Sequence, residues 1–551
     1  MNWIKIQNIK NIKNQKSLHD TIANRISKKL AEEGFYNFKI DSISIDSPAD
    51  SGKINITLII NEGKPTLIKS TSIQNPLPEK DSLKIMPVLR SLHGQIFSKQ
   101  IIENSISRII NYFENSGFPF ATVKIHSVNF SSGPPGNEHY AGIVFLIKKN
   151  QLGKIDKIQI EGNTKTKAGV IIRTAGIKPG ELYSESKIAG IPQRLNRLRF
   201  FEKVGKPEFY FNSKGKGILL IKVKEKQTNF FDGILGYVPP SGTNGKGYFT
   251  GFANVKLGNL FGTGRVFAFK WLQENRYSQE LELNYLEPWV LDYPVNFKTR
   301  LYQRKQDTTY IKRKIGGNIE YLTTEEISAS VFIVSESTIP VLGNNNKFTV
   351  FNSNSISTGI ELKIDTRDNP LAPKSGLLFV NSYSYSSKKI NGPEQFLTPQ
   401  TQTVTGLQRL QLDFSFYYEL FTNQVVQLSV HGKELRGNSL EVSDLYKFGG
   451  TNSMRGYREK QFSANRLLWS NLEYRYLISE FSYAFLFFDA GYYLRNKDEQ
   501  TNTPEVSDVL KSFGLGFSLE SALGILNISY AVPQGAPVSK GLIHFGILNN
   551  F

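Results

Sequence analysis

No cysteine occurs in the 551 residues. Thiol nucleophiles, zinc thiolate centres and disulfide frameworks are excluded together. No window holds the roughly 18 or more consecutive apolar residues of a membrane-spanning helix. The longest apolar runs, such as Gly142-Ile143-Val144-Phe145-Leu146-Ile147, have strand length, so a helical membrane protein is excluded as well. Histidine is scarce, and His19, His93, His126, His139, His431 and His544 show no metal-ligand spacing. Nucleophile-elbow, phosphate-loop and dinucleotide fingerprints are missing too. The expectation is a protein with no enzyme activity, cofactor or metal. The opening Met1-Asn2-Trp3-Ile4-Lys5-Ile6-Gln7 lacks the apolar stretch of a secretory signal, so an exported chain starting here is expected to be a processed or shortened form.

What the chain has instead is aromatic side chains and positive charge. It holds 38 Phe and 25 Tyr but only 4 Trp and 3 Met, and 67 Lys and Arg oppose 48 Asp and Glu. The excess sits in front: residues 1–226 carry 36 basic against 19 acidic side chains, residues 227–551 carry 31 against 29. Such an arm suits anionic lipid head groups, acidic clients or nucleic acid. The lysines are scattered over polar faces without a nucleic-acid motif, so a solvated surface and no nucleic-acid partner are expected.

One local plan recurs in the front: helix, glycine, aromatic residue, strand. It is read at Leu30-Ala31-Glu32-Glu33-Gly34-Phe35-Tyr36 and again at Asn111-Tyr112-Phe113-Glu114-Asn115-Ser116-Gly117-Phe118, a spacing of roughly 80 residues that signals a repeat. Gly117 can end its helix in a left-handed conformation. The third stretch predicts a strand over Ile155–Asn163, a helix over Ala168–Ala175, and a second helix over Ser184–Arg199 with Ile188, Ile191, Leu195 and Leu198 at helical spacing. Strands near Val204–Tyr210 and Gly217–Lys224 complete it. These units resemble the polypeptide-transport-associated (POTRA) domains that precede outer-membrane assembly barrels. The expected boundaries are 1–66 (shortened at its start), 67–150 and 151–226. An exposed edge strand of such a unit can accept an extended client by strand addition.

From residue 227 the pattern changes to period two. Val266, Ala268 and Lys270 interleave with Phe267, Phe269 and Trp271; Leu410, Leu412 and Phe414 interleave with Gln411, Asp413 and Ser415. Sixteen such segments are counted in 227–551, among them 376–389, 405–420 and 461–478. A barrel wall with lipid outside and water inside requires this alternation. A soluble sandwich shows it too but needs a second core, and none is evident. The fold class is therefore α+β POTRA repeats followed by a 16-stranded antiparallel transmembrane β-barrel over 227–551.

Five ordered motifs carry a closer resemblance. They are Asn259-Leu260-Phe261-Gly262-Thr263-Gly264, Tyr285-Leu286-Glu287-Pro288-Trp289, Asp365-Thr366-Arg367-Asp368-Asn369-Pro370, Arg455-Gly456-Tyr457 and Phe487-Phe488-Asp489-Ala490-Gly491. The chain resembles the BamA/TamA family of outer-membrane assembly proteins over residues 68–551, and the count of front units favours the TamA-like branch.

The resemblance implies a loop between strands eleven and twelve that folds into the barrel, its tip meeting strand thirteen. Arg455 should then meet Asp489, with Gly456 permitting the tight backbone, Tyr457 packing on the wall, and Phe487, Asp489 and Gly491 facing inward. It also implies a seam, where the first strand, with Gly233 and Gly236, pairs with the last, with Gly541 and Gly546. Glycine weakens strands, so both sideways opening and ordinary closure stay open here. Terminal Phe551 resembles the ending of outer-membrane barrels, although Asn549 departs from it. The implied function is non-enzymatic assembly, insertion or translocation of outer-membrane or secreted client proteins, with outer-membrane lipids and accessory envelope proteins as further partners. A two-partner-type secretion transporter is the alternative, and a passive porin a third reading. The implied location is the outer membrane, with the front units in the periplasm.

Overall fold

The structure is a computed structural model that describes residues 15–46, 55–133, 138–240, 247–324, 326–341, 350–397, 399, 401–438, 440–497, 504–521 and 524–548. Asn549 and Phe551 lie outside the described residues. The chain packs as two compact units, one from residues 1–159, 176–191 and 206–221, the other from 160–175, 192–205 and 222–551. Residues 151–226 thus contribute to both.

In the first unit, helix α1 (Gln15–Glu32) buries Ile22, Ile26 and Leu30 against the apolar face of β1 (Lys39–Asp46) and β2 (Asn55–Asn61). Next come β3 (Thr66–Ile73), α2 (Glu79–Arg90), α3 (Lys99–Asn115), β4 (Thr122–Ser132) and β5 (His139–Lys148), with sheet order β3-β5-β4. Ile102, Ile109 and Phe113 of α3 meet alternating Ala141, Ile143, Phe145 and Ile147 of β5, helical period against strand period. The Ser98 hydroxyl caps α3, and Gly117 at φ +95° ends it.

The third stretch supplies β6 (Ile155–Glu161), α4 (Ala168–Ala175), α5 (Glu185–Ala189), α6 (Ile191–Leu198), β7 (Glu208–Phe211) and β8 (Gly217–Lys222), with sheet order β6-β8-β7. The single helix expected over Ser184–Arg199 is two. Pro192 has no amide hydrogen to give the Ile188 carbonyl, and its ring crowds that oxygen, so the helix breaks around Gly190.

The second unit is dominated by one antiparallel sheet of sixteen strands. They are β9 (Asn229–Val238), β10 (Tyr248–Leu260), β11 (Arg265–Gln273), β12 (Gln279–Glu287), β13 (Val295–Gln306), β14 (Tyr310–Leu322), β15 (Ile327–Pro340), β16 (Asn352–Asp365), β17 (Gly376–Gly392), β18 (Val404–Phe421) and β19 (Gln424–Gly437). A short hairpin of β20 (Tyr446–Phe448) and β21 (Phe462–Ala464) stands apart from the wall; β22 (Arg466–Leu477), β23 (Tyr483–Arg495), β24 (Val506–Ser521), β25 (Gly524–Pro533) and β26 (Leu542–Leu548) then continue it. The expected strand 461–478 is therefore two elements, only the second of which joins the wall.

Side-chain placement separates a barrel from a sandwich. Val331 and Ile333 of β15, Ile356 and Ile360 of β16, and Phe513 and Leu515 of β24 are exposed; Ser330, Glu336, Ser355, Ser357 and Ser512 on the opposite faces are buried. Apolar outside and polar inside is the reverse of a soluble core and suits a lipid-facing wall.

Candidate functional site: the internal loop and the sheet edges

The connection from β19 to β22 bends inward because three glycines let it. Gly449, Gly450 and Gly456 have φ of +107°, +100° and +86°, a region costly to side-chain-bearing residues. The turn is tied on itself: Ser453 Oγ accepts from the Gly449 amide at 3.0 Å and Glu459 Oε1 from the Thr451 amide at 2.6 Å.

This places Arg455, 6% exposed, against the inner wall. Its Nε donates to Asp489 Oδ2 at 2.7 Å and its Nη2 to Asp489 Oδ1 at 2.6 Å, a two-pronged pairing that matches the carboxylate plane. Its Nη1 donates to Glu473 Oε1 of β22 at 2.6 Å, and the other Glu473 oxygen accepts from Arg475 Nε at 2.9 Å. Two guanidinium groups and two carboxylates thus balance in a buried cluster, which answers the desolvation cost of each ion. The Phe487 ring lies 3.7 Å from the Arg455 guanidinium carbon, closing one face to water. Asp489 is fully buried, while Phe488 and Tyr492 point outward and are exposed. Gly491 leaves room for the loop: a Cβ there would stand 3.0 Å from Phe448 and 3.2 Å from the Met454 sulfur.

The tip reaches further than strand thirteen. The Tyr457 hydroxyl donates to the Lys511 carbonyl of β24 at 3.3 Å, and the Gly456 amide donates to His544 Nε2 of β26 at 2.8 Å. Five consecutive strands, β22 to β26, are touched, since a Cβ on Gly456 would lie 3.2 Å from the Pro533 nitrogen of β25.

The near arm of the loop is held on the opposite wall. Lys388 of β17 donates to Asp444 Oδ2 at 2.7 Å and to Glu441, whose Oε1 accepts the Phe351 amide at 2.7 Å. All three charged side chains are buried. Lys312 of β14 donates to the Ser443 carbonyl.

Three of the motifs lie on one end of the sheet, where the turns after β10, β12 and β16 fall together because neighbouring strands are antiparallel. The Gly262 carbonyl accepts the Lys167 amide at 2.9 Å, and Asn259 Nδ2 donates to Thr166 Oγ1 at 2.8 Å. Gly262 has φ +69°, and a Cβ there would collide with the Lys165 carbonyl at 2.0 Å. Glu225 holds the same 164–166 turn through three backbone amides and the Thr164 hydroxyl. Burial alone would raise its carboxyl, but these hydrogen bonds outweigh burial and depress it to about 2. Arg197 Nη2 donates to the Arg367 carbonyl at 3.0 Å, while Arg367 pairs with Asp365 at 2.9 Å.

The sheet order begins at β26 and ends at β9, and among the described residues no backbone pairing joins these two strands. On β9, Gly236 shares the inward face with Asp232 and Gly233 shares the outward face with Phe231. Gly541 precedes β26 and packs under the Tyr530 ring; Gly546 faces inward towards Thr451.

The sequence profile of the Omp85 superfamily domain matches residues 259–551, and that of the POTRA, or surface antigen variable number, repeat matches 153–226. The chain belongs to the Omp85 superfamily. Among its relatives is the outer membrane protein assembly factor BamA of Nitratidesulfovibrio vulgaris, 22% identical over 545 residues, which cover 92% of this chain and 64% of the relative. BamA of Neisseria meningitidis serogroup B is 21% identical over 315 residues, 56% of this chain and 37% of the relative. The chain thus spans less than two thirds of the length of these relatives. CdiB from Escherichia coli shares the fold, with a TM-score of 0.50 at 11% identity, covering 96% of this chain and 97% of that one.

This Omp85 chain is an outer-membrane protein with its front repeats on the periplasmic side. The relatives named above carry the BamA name, and the TamA-like placement has only the count of front units behind it. Sequence reasoning missed Glu473, His544, Lys388, Glu441 and Asp444. Alternation alone marks Glu473 and His544 as inward-facing polar residues on strands with apolar outer faces. No local signal marks the Lys388 cluster, because Glu441 and Asp444 lie in irregular backbone.

Gly456→Ala is expected to destabilise the loop seat by about 1–2 kcal/mol for the left-handed conformation, plus the contact with Pro533 and Ser512. The melting temperature of the barrel in detergent micelles should fall, and an unchanged value would show that the tip has another seat.

Proposed function

We propose that this protein assembles or inserts outer-membrane proteins without enzyme chemistry, the front repeats receiving extended clients and the barrel passing them into the membrane at the β9–β26 edges. The observation that carries this reading is the pair of edge strands in a thiol-free barrel whose internal loop is tied to one of them through Gly456 and His544. An unpaired strand edge presents a row of amides and carbonyls that can template an incoming strand. Outer-membrane lipid and accessory envelope proteins are the other partners of this reading.

The native absence of cysteine makes the test direct. Cysteines at outward positions of β9 (Phe231, Leu235), combined in turn with outward positions of β26 (Ile543, Phe545), report which pairs come within disulfide reach. Oxidation of a reactive pair is expected to stop insertion of a barrel client into vesicles, and reduction to restore it. Full insertion through a quantitatively locked edge would overturn the proposal. The fold shared with CdiB favours a second reading, export of a dedicated polypeptide through the lumen. In that case the locked protein still exports, and release of the loop from the lumen becomes the limiting step.

A further inference from the structure

The terminal strand meets the internal loop on its inner face through one side-chain hydrogen bond. Ile543 and Phe545 of β26 are 74% and 62% exposed on the outer face, whereas His544 between them is 6% exposed on the inner face. Its Nε2 accepts the Gly456 amide at 2.8 Å, directly beside the buried Arg455. Two residues on, Gly546 lies under Thr451 of the same loop, whose methyl group would stand 3.4 Å from a Cβ. On its sheet side β26 pairs only with β25 among the described residues, His544 opposite Ser529. The loop is therefore the second support of a strand that has one backbone neighbour among the described residues.

An amide can donate to an imidazole nitrogen only while that nitrogen keeps its lone pair. A proton there turns the acceptor into a donor and sets two donors against each other. The charged groups facing the ring are Arg455 and Glu459 from the loop and Asp489 from β23. Asp489 is committed to Arg455 by three bonds, two from the guanidinium and one from the backbone amide, and Glu459 to the Thr451 amide. Ser529 of β25 stands opposite His544, and Ser512 of β24 lies beside Gly456, the donor to the ring.

We infer that His544 is a positioning residue through which the loop tip clamps the terminal strand, and that protonation of its ring releases that edge. The inference deepens the edge-templating reading above and rests on it for its bearing on client insertion. The clamp itself is separately measurable.

The test is hydrogen exchange of the β26 amides in the full chain in lipid vesicles, corrected for intrinsic rates, at about pH 8 and about pH 5.5, on either side of the ordinary imidazole value of ~6.5. Wild-type protection is expected to fall roughly fivefold or more at the lower pH, the worth of one hydrogen bond. In His544→Gln the side-chain oxygen can take the place of Nε2 and does not titrate, so protection should stay high at both values. In His544→Phe it should be low at both. Equal pH responses in wild type and His544→Gln, or full protection in His544→Phe, would overturn the inference. If exchange behaves as expected while a locked edge still inserts clients, the clamp stands and the edge-templating reading fails. If locking stops insertion but exchange ignores His544, the reverse holds.

Discussion

Arg455→Ala is expected to abolish client insertion while residues 1–226 keep their fold. The side chain makes three bonds to two carboxylates on adjacent strands, and removing it leaves Asp489 fully buried with neither of its guanidinium donors. Breaking a buried pair by deleting one partner costs about 3–5 kcal/mol, because the surviving charge keeps its desolvation penalty. Glu473 is spared in part, since Arg475 still donates to it. Asp489→Ala should match Arg455→Ala in direction, and the double variant should be less destabilised than the sum of the two, the sign of a direct interaction. Arg455→Lys should rescue little, because one ammonium cannot reproduce a planar fork bridging β22 and β23. The measurements are insertion of a barrel client into vesicles and the unfolding midpoint in urea with lipid. Wild-type insertion by Arg455→Ala would show that the buried cluster is a stability feature alone.

Lys388→Met should produce the second large effect, on the opposite wall. It leaves Glu441 and Asp444 buried and without the cation that lies 2.7 Å from one of them and donates to the other. Two like charges left together in one buried site repel each other. The near arm of the loop is expected to leave β17, and the lumen to admit ions. Planar-bilayer conductance should rise well above wild type near neutral pH. Lys388→Met combined with Glu441→Gln should lie nearer wild type than Lys388→Met alone. Conductance unchanged in Lys388→Met would mean that the lumen is closed by other parts of the loop.

These two clusters differ in how far they could be read in advance. Asp489 stands in an aromatic strand with period two, so its inward direction is legible in the sequence. Its meeting with Arg455 was not, because loop backbone has no period, and family resemblance supplied that expectation. Glu473 was within reach: Glu473 and Arg475 alternate with outward Leu472 and Tyr474. The helix break at Gly190 was also legible, since Pro192 forbids the hydrogen bond that a continuous helix needs. The Lys388 cluster was out of reach, with its partners more than fifty positions away across the lumen.

Strand number, the face each strand turns to lipid and the order of the front elements are properties of short stretches of chain. Alternation and helical spacing record them residue by residue, because each side chain's direction follows from its own backbone. Which charges neutralise each other inside the barrel, and that His544 receives the loop tip, depends on how sixteen strands bring distant segments together. The inward-facing charges admit several partners on pattern alone. The curvature of the sheet and the three left-handed glycines of the loop select one arrangement, by fixing the few ångströms within which a buried ion must find its counter-ion.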